Sequence, residues 1–473
     1  MCTELTSETP SITAHLLAID ALGPSGVYRT RNREVIMTTA GAPVAELSIV
    51  PPLYVSRTIG ALRKVRPLPA AQREAALADA ADVFATAVIG GLDFESYVVL
   101  ASRISGLPIA ITRAGARSVA DAVASAFDAV RPARPVGAAS DWREARTRNG
   151  SAVWTRRGEV FAVHAAGNGP GVHGLWPQAL ALGYRVAVRP SRREPLTAHR
   201  LVYALRQSGF RAEDAAYLPT DHSGADEIVR SADIAMVYGG QDVVDKYAND
   251  PTVVVNGPGR AKILITADRD WRDYIDIVVD SIANLGGMAC VNTTAVLYEG
   301  DPGPLAGAIA ERLAAIKPLP TEDERAVLPT QPVDKARALA SYLAAKSAGT
   351  TPLLGADQVV AAVGDGYAAL RPAVHLVAEP GSGKLTDQLN IELPFPCVWV
   401  SPWSRAAGME PLRHSLVVNA ITGDDDLIDD LLGEPTVANV YRGHHPTYYG
   451  APEIPHDGFL ADVLMRNKGF IRD

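Results

Sequence analysis

The sequence predicts an α/β protein built from βαβ units around parallel sheets. Two observations carry this. Between Val160 and Val237, short apolar β-branched runs alternate with helix-length segments. A second alternating block begins near Val253-Val254-Val255 and runs past Trp399-Val400. Parallel neighbours need a long crossover, and helices of this length between strands supply one.

The elements follow in order. Alanine-rich stretches at helical spacing predict helices over 70–86 and 119–130. The middle of the chain then reads strand 160–165, helix 175–182, strand 185–188, helix 195–208, strand 215–218, helix 224–231 and strand 234–237. Residues 142–161 break the pattern, being polar and rich in arginine. Asn149-Gly150 is a hairpin turn signal, so this segment is expected to be a protruding hairpin for subunit contact. The acidic run Asp424-Asp425-Asp426 is expected to cap a helix from Leu427.

Composition bounds the function. At 473 residues the chain is long enough for two or three domains. Net charge of −8 offers no basic surface for nucleic acid or anionic membrane. Three cysteines, Cys2, Cys290 and Cys397, are too few for a disulfide framework and fit a reducing compartment. No apolar run is long enough to span a bilayer, and Met1-Cys2-Thr3-Glu4 lacks a basic n-region. The expectation is a cytoplasmic protein that binds neither nucleic acid nor membrane.

Cys290 is the leading candidate for chemistry. It follows Asn284-Leu285-Gly286-Gly287-Met288-Ala289, and the apolar run Ala295-Val296-Leu297-Tyr298 follows it. A thiol after a glycine pair, between a helix and a strand, is placed where backbone N–H groups can lower its pKa and meet an oxyanion. Taken alone, the segment fits a small buried hydrophobe as well. Cys397 lies in an apolar run and reads as structural. His164, His173, His444 and His445 lack metal-ligand spacing, so no metal is expected. His444-His445, near Tyr448-Tyr449, are candidates for lining a substrate tunnel.

Two stretches imitate phosphate loops. Gly169-Pro170-Gly171-Val172-His173-Gly174 matches GxGxxG between a strand and a helix. The next strand ends in Arg189-Pro190-Ser191-Arg192-Arg193, where an NAD site would carry an acid. Arginines there suit a 2′-phosphate, and a glycine turn followed by a solvated basic loop fits equally. Pro380-Gly381-Ser382-Gly383-Lys384-Leu385 lacks the upstream glycine and the Ser/Thr of a P-loop and is rejected.

Several ordered segments resemble the aldehyde dehydrogenase superfamily. His164-Ala165-Ala166-Gly167-Asn168-Gly169-Pro170 resembles the segment whose asparagine helps form the oxyanion hole. Pro177–Ser191, with Pro195-Leu196-Thr197-Ala198, resembles "P-A-L-A-x-G-N-x-V-V-x-K-P-S-E-x-x-P-x-T-A". Tyr238-Gly239-Gly240-Gln241 resembles the glycine-containing cofactor turn, and Ile391-Glu392-Leu393-Pro394-Phe395-Pro396 the "E-x-F-G-P-V" segment at the nicotinamide ribose. Leu464–Ile471 resembles the C-terminal strand that pairs across subunits. The resemblance implies two doubly wound α/β domains plus a small oligomerisation arm. Expected boundaries are 1–139 and 158–255 for dinucleotide binding, 256–440 for the thiol nucleophile, and 140–157 with 441–473 for the arm. It also implies Cys290 as nucleophile, Asn168 at the oxyanion, and a homodimer or homotetramer.

Two departures refine the expectation. Hydrolytic members carry a water-activating glutamate 34 residues before the cysteine; here that position is Asn256, in Val255-Asn256-Gly257-Pro258-Gly259-Arg260. The run resembles the "G-P-G-N-x-P" version of acylating, CoA-dependent members and fatty acyl reductases. An amide cannot take a proton from water, so a thioacyl enzyme would persist and exchange with a thiol. Glu392 is the other carboxylate that could serve as base. The family's "K-P-S-E" lysine is Arg189 and its glutamate is Arg192, beside Ser191, which favours NADP(H) over NAD(H). The pyrophosphate is then expected near Gly239-Gly240. The expected activity is reduction of an acyl thioester, carried by CoA or an acyl carrier protein, to an aldehyde. The alternatives are oxidation of an aldehyde to an acid, and a weakly active homologue that serves as a scaffold in a biosynthetic complex.

Overall fold

The computed structural model describes residues 16–377 and 385–473. Cys2 and the rejected P-loop residues Pro380–Lys384 lie outside the described residues.

Two seven-stranded sheets organise the chain. The first contains β1 (Ala21–Gly23), β2 (Gly26–Tyr28), β3 (Val160–His164), β4 (Arg185–Arg189), β5 (Ala215–Tyr217), β6 (Ile234–Tyr238) and β7 (Val253–Asn256). Their order is β7-β6-β3-β4-β5-β1-β2. β3 to β7 are mutually parallel where they pair, and β1 joins β5 antiparallel. Successive side chains alternate between two helical layers. Phe161, Val163, Val186 and Val188 pack with helices Ala70–Thr86, Ile109–Ala124 and Leu196–Gln207. Val160, Ala162, Ala187 and Ala216 pack with Pro52–Lys64 and His222–Ser231. Both faces are covered, which is why these strands read as unbroken apolar runs. Burying one such Val or Phe contributes roughly 1.5–3 kcal/mol, far more than an exposed ion pair.

The second sheet contains β8 (Ala261–Ile265), β9 (Thr293–Tyr298), β10 (Thr351–Leu354), β11 (Ala373–Leu376), β12 (Cys397–Pro402), β13 (Ser415–Ile421) and β14 (Val437–Arg442). Its order is β10-β11-β12-β9-β8-β13-β14, parallel except at β10. Leu264, Leu297, Trp399 and Val418 face one core, and Ile263, Val296, Val398 and Val400 the other. In the first sheet β4 and β5 lie on one side of β3, while β6 and β7 lie on the other. The crevice beyond the C-terminal ends of β3 and β6 is therefore the topological switch point, where open α/β sheets take their ligands.

Some expectations fail locally. The helix expected over 175–182 forms but is short, Pro177–Ala181, and a 3-10 turn, Pro170–His173, precedes it. Pro170 and Pro177 lack N–H donors, and Gly183 (φ 89°) ends the run. The helix expected over 119–130 is the end of Ile109–Ala124 followed by the single turn Ala126–Ala129.

The expected 142–161 hairpin does not form. Ala145–Asn149 is a 3-10 turn ended by Gly150 (φ 82°), and only Ser151–Arg156 is extended there before β3. That strand pairs antiparallel with Met465–Phe470 and parallel with Ala138–Ala139. The C-terminal strand, expected to pair across subunits, thus pairs within its own chain and leaves its other edge as the rim of this small sheet. The physical reason is local packing. Trp142 meets Phe470 edge-to-face with ring centroids 5.9 Å apart, and Arg472 donates to Thr147 Oγ1 (3.0 Å) and to the Arg143 carbonyl (2.8 Å).

Candidate active site

Cys290 sits on the loop between helix Ile275–Ala283 and β9. The loop turns sharply because Leu285 (φ 54°), Gly286 (φ 72°) and Gly287 (φ 66°) all adopt left-handed conformations. A Cβ on Gly287 would lie 2.4 Å from the Pro396 nitrogen, so glycine is required by both conformation and space. Asn292 ties the loop down. Its Nδ2 donates to the carbonyls of Ser281 (3.1 Å) and Asn284 (2.8 Å), while its Oδ1 accepts from Ala289 N–H (2.9 Å).

The thiol opens into a cavity of about 440 Å³. Its walls are mainly apolar, with Leu107, Ile111, Val172, Leu175 and Ile454 among them. Asn168 lines it and donates through Nδ2 to the Met288 carbonyl (3.2 Å), two residues from the cysteine. Tyr448 and Tyr449 also line it. His444 instead stacks on Tyr274 (4.3 Å), and neither it nor His445 reaches the cavity wall. Gly169, Pro170, Gly171, Val172 and Gly174 of the GxGxxG stretch line this same cavity, as a 3-10 turn under helix Ile109–Ala124. That stretch is a wall of the cavity beside the thiol, and its phosphate-loop reading is corrected accordingly. Among the described residues, no Asp or Glu lines the cavity.

The carboxylate at the alternative base position is engaged elsewhere. Glu392 Oε2 accepts the N–H groups of Gly259 (2.7 Å) and Arg260 (3.1 Å). Burial raises its pKa, and these two hydrogen bonds hold it back. The segment it grips lies against Cys290, since a Cβ on Gly259 would fall 1.7 Å from the Cys290 carbonyl oxygen. Asn256 ends β7, buried, beside Tyr238 in register. Its Nδ2 has no hydrogen-bond partner among the described residues. It is not part of the cavity wall.

The other predicted residues lie at and after the C-terminal ends of β4 and β6. Arg189 ends β4, with Nε donating to the Thr220 carbonyl (3.3 Å); burial lowers its pKa. Ser191 packs on Gly167, where a Cβ would meet its Oγ at 2.3 Å. Arg192 is half-exposed and paired with Glu34 (3.1 Å), a neighbour that its sequence position does not foretell. Gly239 and Gly240 follow β6, and Gly240 caps the short helix Gln241–Tyr247. Cys397 is fully buried, and burial pushes its thiol pKa far up. It is a core residue.

The sequence reading missed His456 and Asp457. His456 Nε2 lies 3.3 Å from Cys290 Sγ, and its Nδ1 lies 2.8 Å from Asp457 Oδ2. Burial disfavours the charged imidazole, but the bonds to Asp457 and Cys290 outweigh it and hold the pKa above the ordinary histidine range. His456 lies 166 residues from Cys290, on an irregular loop, and no motif joins the two.

The parallel sheets, the switch-point crevice and the thiol at a cavity define an α/β protein with a candidate active site at Cys290. The model of the aldehyde dehydrogenase family matches residues 55–382, and the chain belongs to that family of oxidoreductases. Among curated proteins none matches significantly. Solved structures share the fold at low identity. The aldehyde dehydrogenase KauB from Pseudomonas aeruginosa is 16% identical, with a TM-score of 0.80 over 95% of each chain. P. syringae AldA indole-3-acetaldehyde dehydrogenase, in complex with NAD+ and IAA, is 16% identical, with a TM-score of 0.79 over 95% of each chain. A 3,6-anhydro-L-galactose dehydrogenase in complex with NAP is 18% identical, with a TM-score of 0.76 over 96% of this chain and 99% of that one. Among the described residues no single helix is long and apolar enough to cross a membrane.

Proposed function

We propose that this protein reduces an acyl thioester to an aldehyde through a thioacyl intermediate on Cys290. The observation that carries the reading is the cavity wall, which among the described residues has a thiol, two amides of asparagine and no carboxylate. With Asn256 at the family's base position and Glu392 engaged by backbone amides, no carboxylate is placed to activate water. Without a carboxylate base, an acyl group on Cys290 would hydrolyse slowly enough to exchange with a thiol; His456, protonated by its bonds to Asp457 and Cys290, is a poor acceptor of a water proton. Its oxyanion would be met by the Cys290 backbone N–H and by Asn168 Nδ2. The apolar walls suit the hydrocarbon part of an acyl chain. The thioester is delivered by CoA or by an acyl carrier protein, and the same reading gives a homodimer or homotetramer in the cytoplasm.

The family implies a nicotinamide cofactor, and the residues fit one. The crevice beyond β3 and β6 is the ligand position of such sheets; Arg189 and Ser191–Arg192 lie at and after the C-terminal end of β4, and Gly239 and Gly240 after that of β6, from where they would hold the cofactor. A bound nicotinamide supplies the hydride. Arg189 and Arg192 favour NADP(H), since a guanidinium pairs with the 2′-phosphate. The phosphate would have to take Arg192 from Glu34. Glu392 would face the nicotinamide ribose.

The test is consumption of NADPH on addition of acyl-CoA, with aldehyde trapped and measured. A second reading, oxidation of an aldehyde to an acid, is favoured by His456, which stands close enough to Cys290 to activate water. Rapid NADP+ reduction by free aldehyde without CoA, and no thioester turnover, would establish it. Absence of both, with cofactor still bound, would point to a scaffold.

A further inference from the structure

We infer that His456, aligned by Asp457, is the proton-handling partner of Cys290, making a Cys-His-Asp relay inside an aldehyde dehydrogenase fold. The inference rests on Cys290 being the nucleophile, and its transfer step rests on the thioester reading above. Three side chains stand in line: Cys290 Sγ, His456 Nε2 at 3.3 Å, and Asp457 Oδ2 at 2.8 Å from Nδ1. This is the nucleophile–base–orienter arrangement of nucleophilic catalysis. Nδ1–H donates a hydrogen bond to the Asp457 carboxylate, which leaves Nε2 facing the sulfur.

The position is built. The loop carrying His456 is tied to the second sheet by Asn439 on β14. One Nδ2 hydrogen of Asn439 goes to the His456 carbonyl and the other to the Leu416 carbonyl (3.1 Å). Asn439, Leu416 and Tyr441 line the cavity beside Cys290. The titratable groups that act on the imidazole are Cys290, on its own loop, and Asp457, next in sequence; Tyr238, at the end of β6, lines the same cavity and acts on Cys290 and Asp457. Tyr238 is buried, and its pKa is raised by that burial. It therefore stays neutral at working pH and does not compete for the proton.

The chemistry balances without any further reagent. At rest the Cys290 proton lies on His456 Nε2, giving a thiolate beside an imidazolium; the sulfur bonds to the thioester carbonyl carbon, and the carbonyl π pair moves to oxygen. Collapse restores the C=O bond and breaks the bond to the leaving sulfur, which receives the proton from His456. The exchange is redox-neutral. Because the imidazole is freed of its proton as the thiol leaves, it is ready for the reverse transfer. His456 touches a reacting atom and is catalytic; Asp457 is a positioning residue.

The test reads the thiol directly. Alkylation of Cys290 by iodoacetamide is followed by intact mass across pH, in wild type, His456→Ala, His456→Gln and Asp457→Asn. Thermal melting and NADPH binding check the fold of each. In wild type, alkylation should hold near its limiting rate into mildly acidic solution. In both His456 variants the midpoint should rise by about one pH unit or more, and in Asp457→Asn by less. The glutamine variant preserves volume, so a shift there is electrostatic. An unchanged midpoint in folded His456→Gln would overturn the assignment. If the midpoint shifts but no acyl-thioester acylates wild-type Cys290, the relay stands and the thioester reading falls.

Discussion

At the residue scale the proposed reaction depends on one sulfur and on the lack of a carboxylate in the cavity wall among the described residues. Cys290→Ser should remove nearly all turnover and leave NADP(H) affinity intact, because an oxygen there is not ionised at neutral pH. Steady-state rates and a cofactor titration check this; retention of a substantial rate would rule out covalent catalysis. Asn256→Glu tests the identity of the acceptor. Restoring a carboxylate at the family's base position should raise acid formation from aldehyde and lower aldehyde release from thioester, with aldehyde and acid measured separately. One general base is worth roughly 10²–10⁴ in rate, enough to change which acceptor wins. Asn256 is buried with Nδ2 unpartnered, so the substitution also places a charge in a confined site and should lower the melting temperature. The sequence pointed to Cys290 through Gly286-Gly287 before it and to Asn168 through the resemblance of its segment, and the structure places both on one cavity wall. His456 and Asp457 were not legible, because a contact between residues 166 apart leaves no local period or spacing.

At the element scale the apolar strands were legible and the irregular segments were not. β3 to β7 announce themselves because both faces are buried. The Asn149-Gly150 signal misled because a turn dipeptide fixes a local conformation, not the identity of the partner strand. Here the partner comes from the C-terminus, held by Trp142, Phe470 and Arg472. The Arg192–Glu34 pair was equally hidden, since Glu34 belongs to a strand of another small sheet. Arg192→Glu should shift preference from NADP(H) towards NAD(H), as one cation is lost beside an existing carboxylate. The ratio of dissociation constants for the two cofactors decides it; an unchanged ratio would make Arg192 a partner of Glu34 alone. The segment after β7 carries a second test. Gly259→Ala would press a methyl group onto the Cys290 carbonyl oxygen, so the strand must move by more than an ångström. The expected cost is about 1–3 kcal/mol of stability, with a fall in kcat larger than the change in KM, read by denaturant unfolding and steady-state kinetics.

At the scale of the whole molecule, the small sheet formed by Ala138–Ala139, Ser151–Arg156 and Met465–Phe470 stands apart from the two large ones. Its rim strand, Met465–Phe470, is exposed beyond its first residue and offers an unpaired backbone edge. Trp142, Phe470 and Ile471 remain exposed beside it. An open edge with apolar neighbours invites another strand or surface, and a sheet of this size gains much of its stability from what it packs against. Arg466 and Lys468 on the rim argue the other way, since charged side chains are a common means of blunting an edge. The balance favours assembly because three large apolar side chains sit together at one end of the strand. The protein is therefore expected to sediment as a dimer or larger at micromolar concentration. Removing 467–473 should reduce the assembly to monomer, since it takes away the rim, Phe470 and Ile471 together. It also strips the antiparallel partner from Ser151–Arg156, so melting must be followed alongside. Loss of assembly in a protein that still melts cooperatively and still alkylates at Cys290 would locate the interface on this arm. A wild-type monomer would mean that the charged rim has done its blunting and that the arm serves the chain alone.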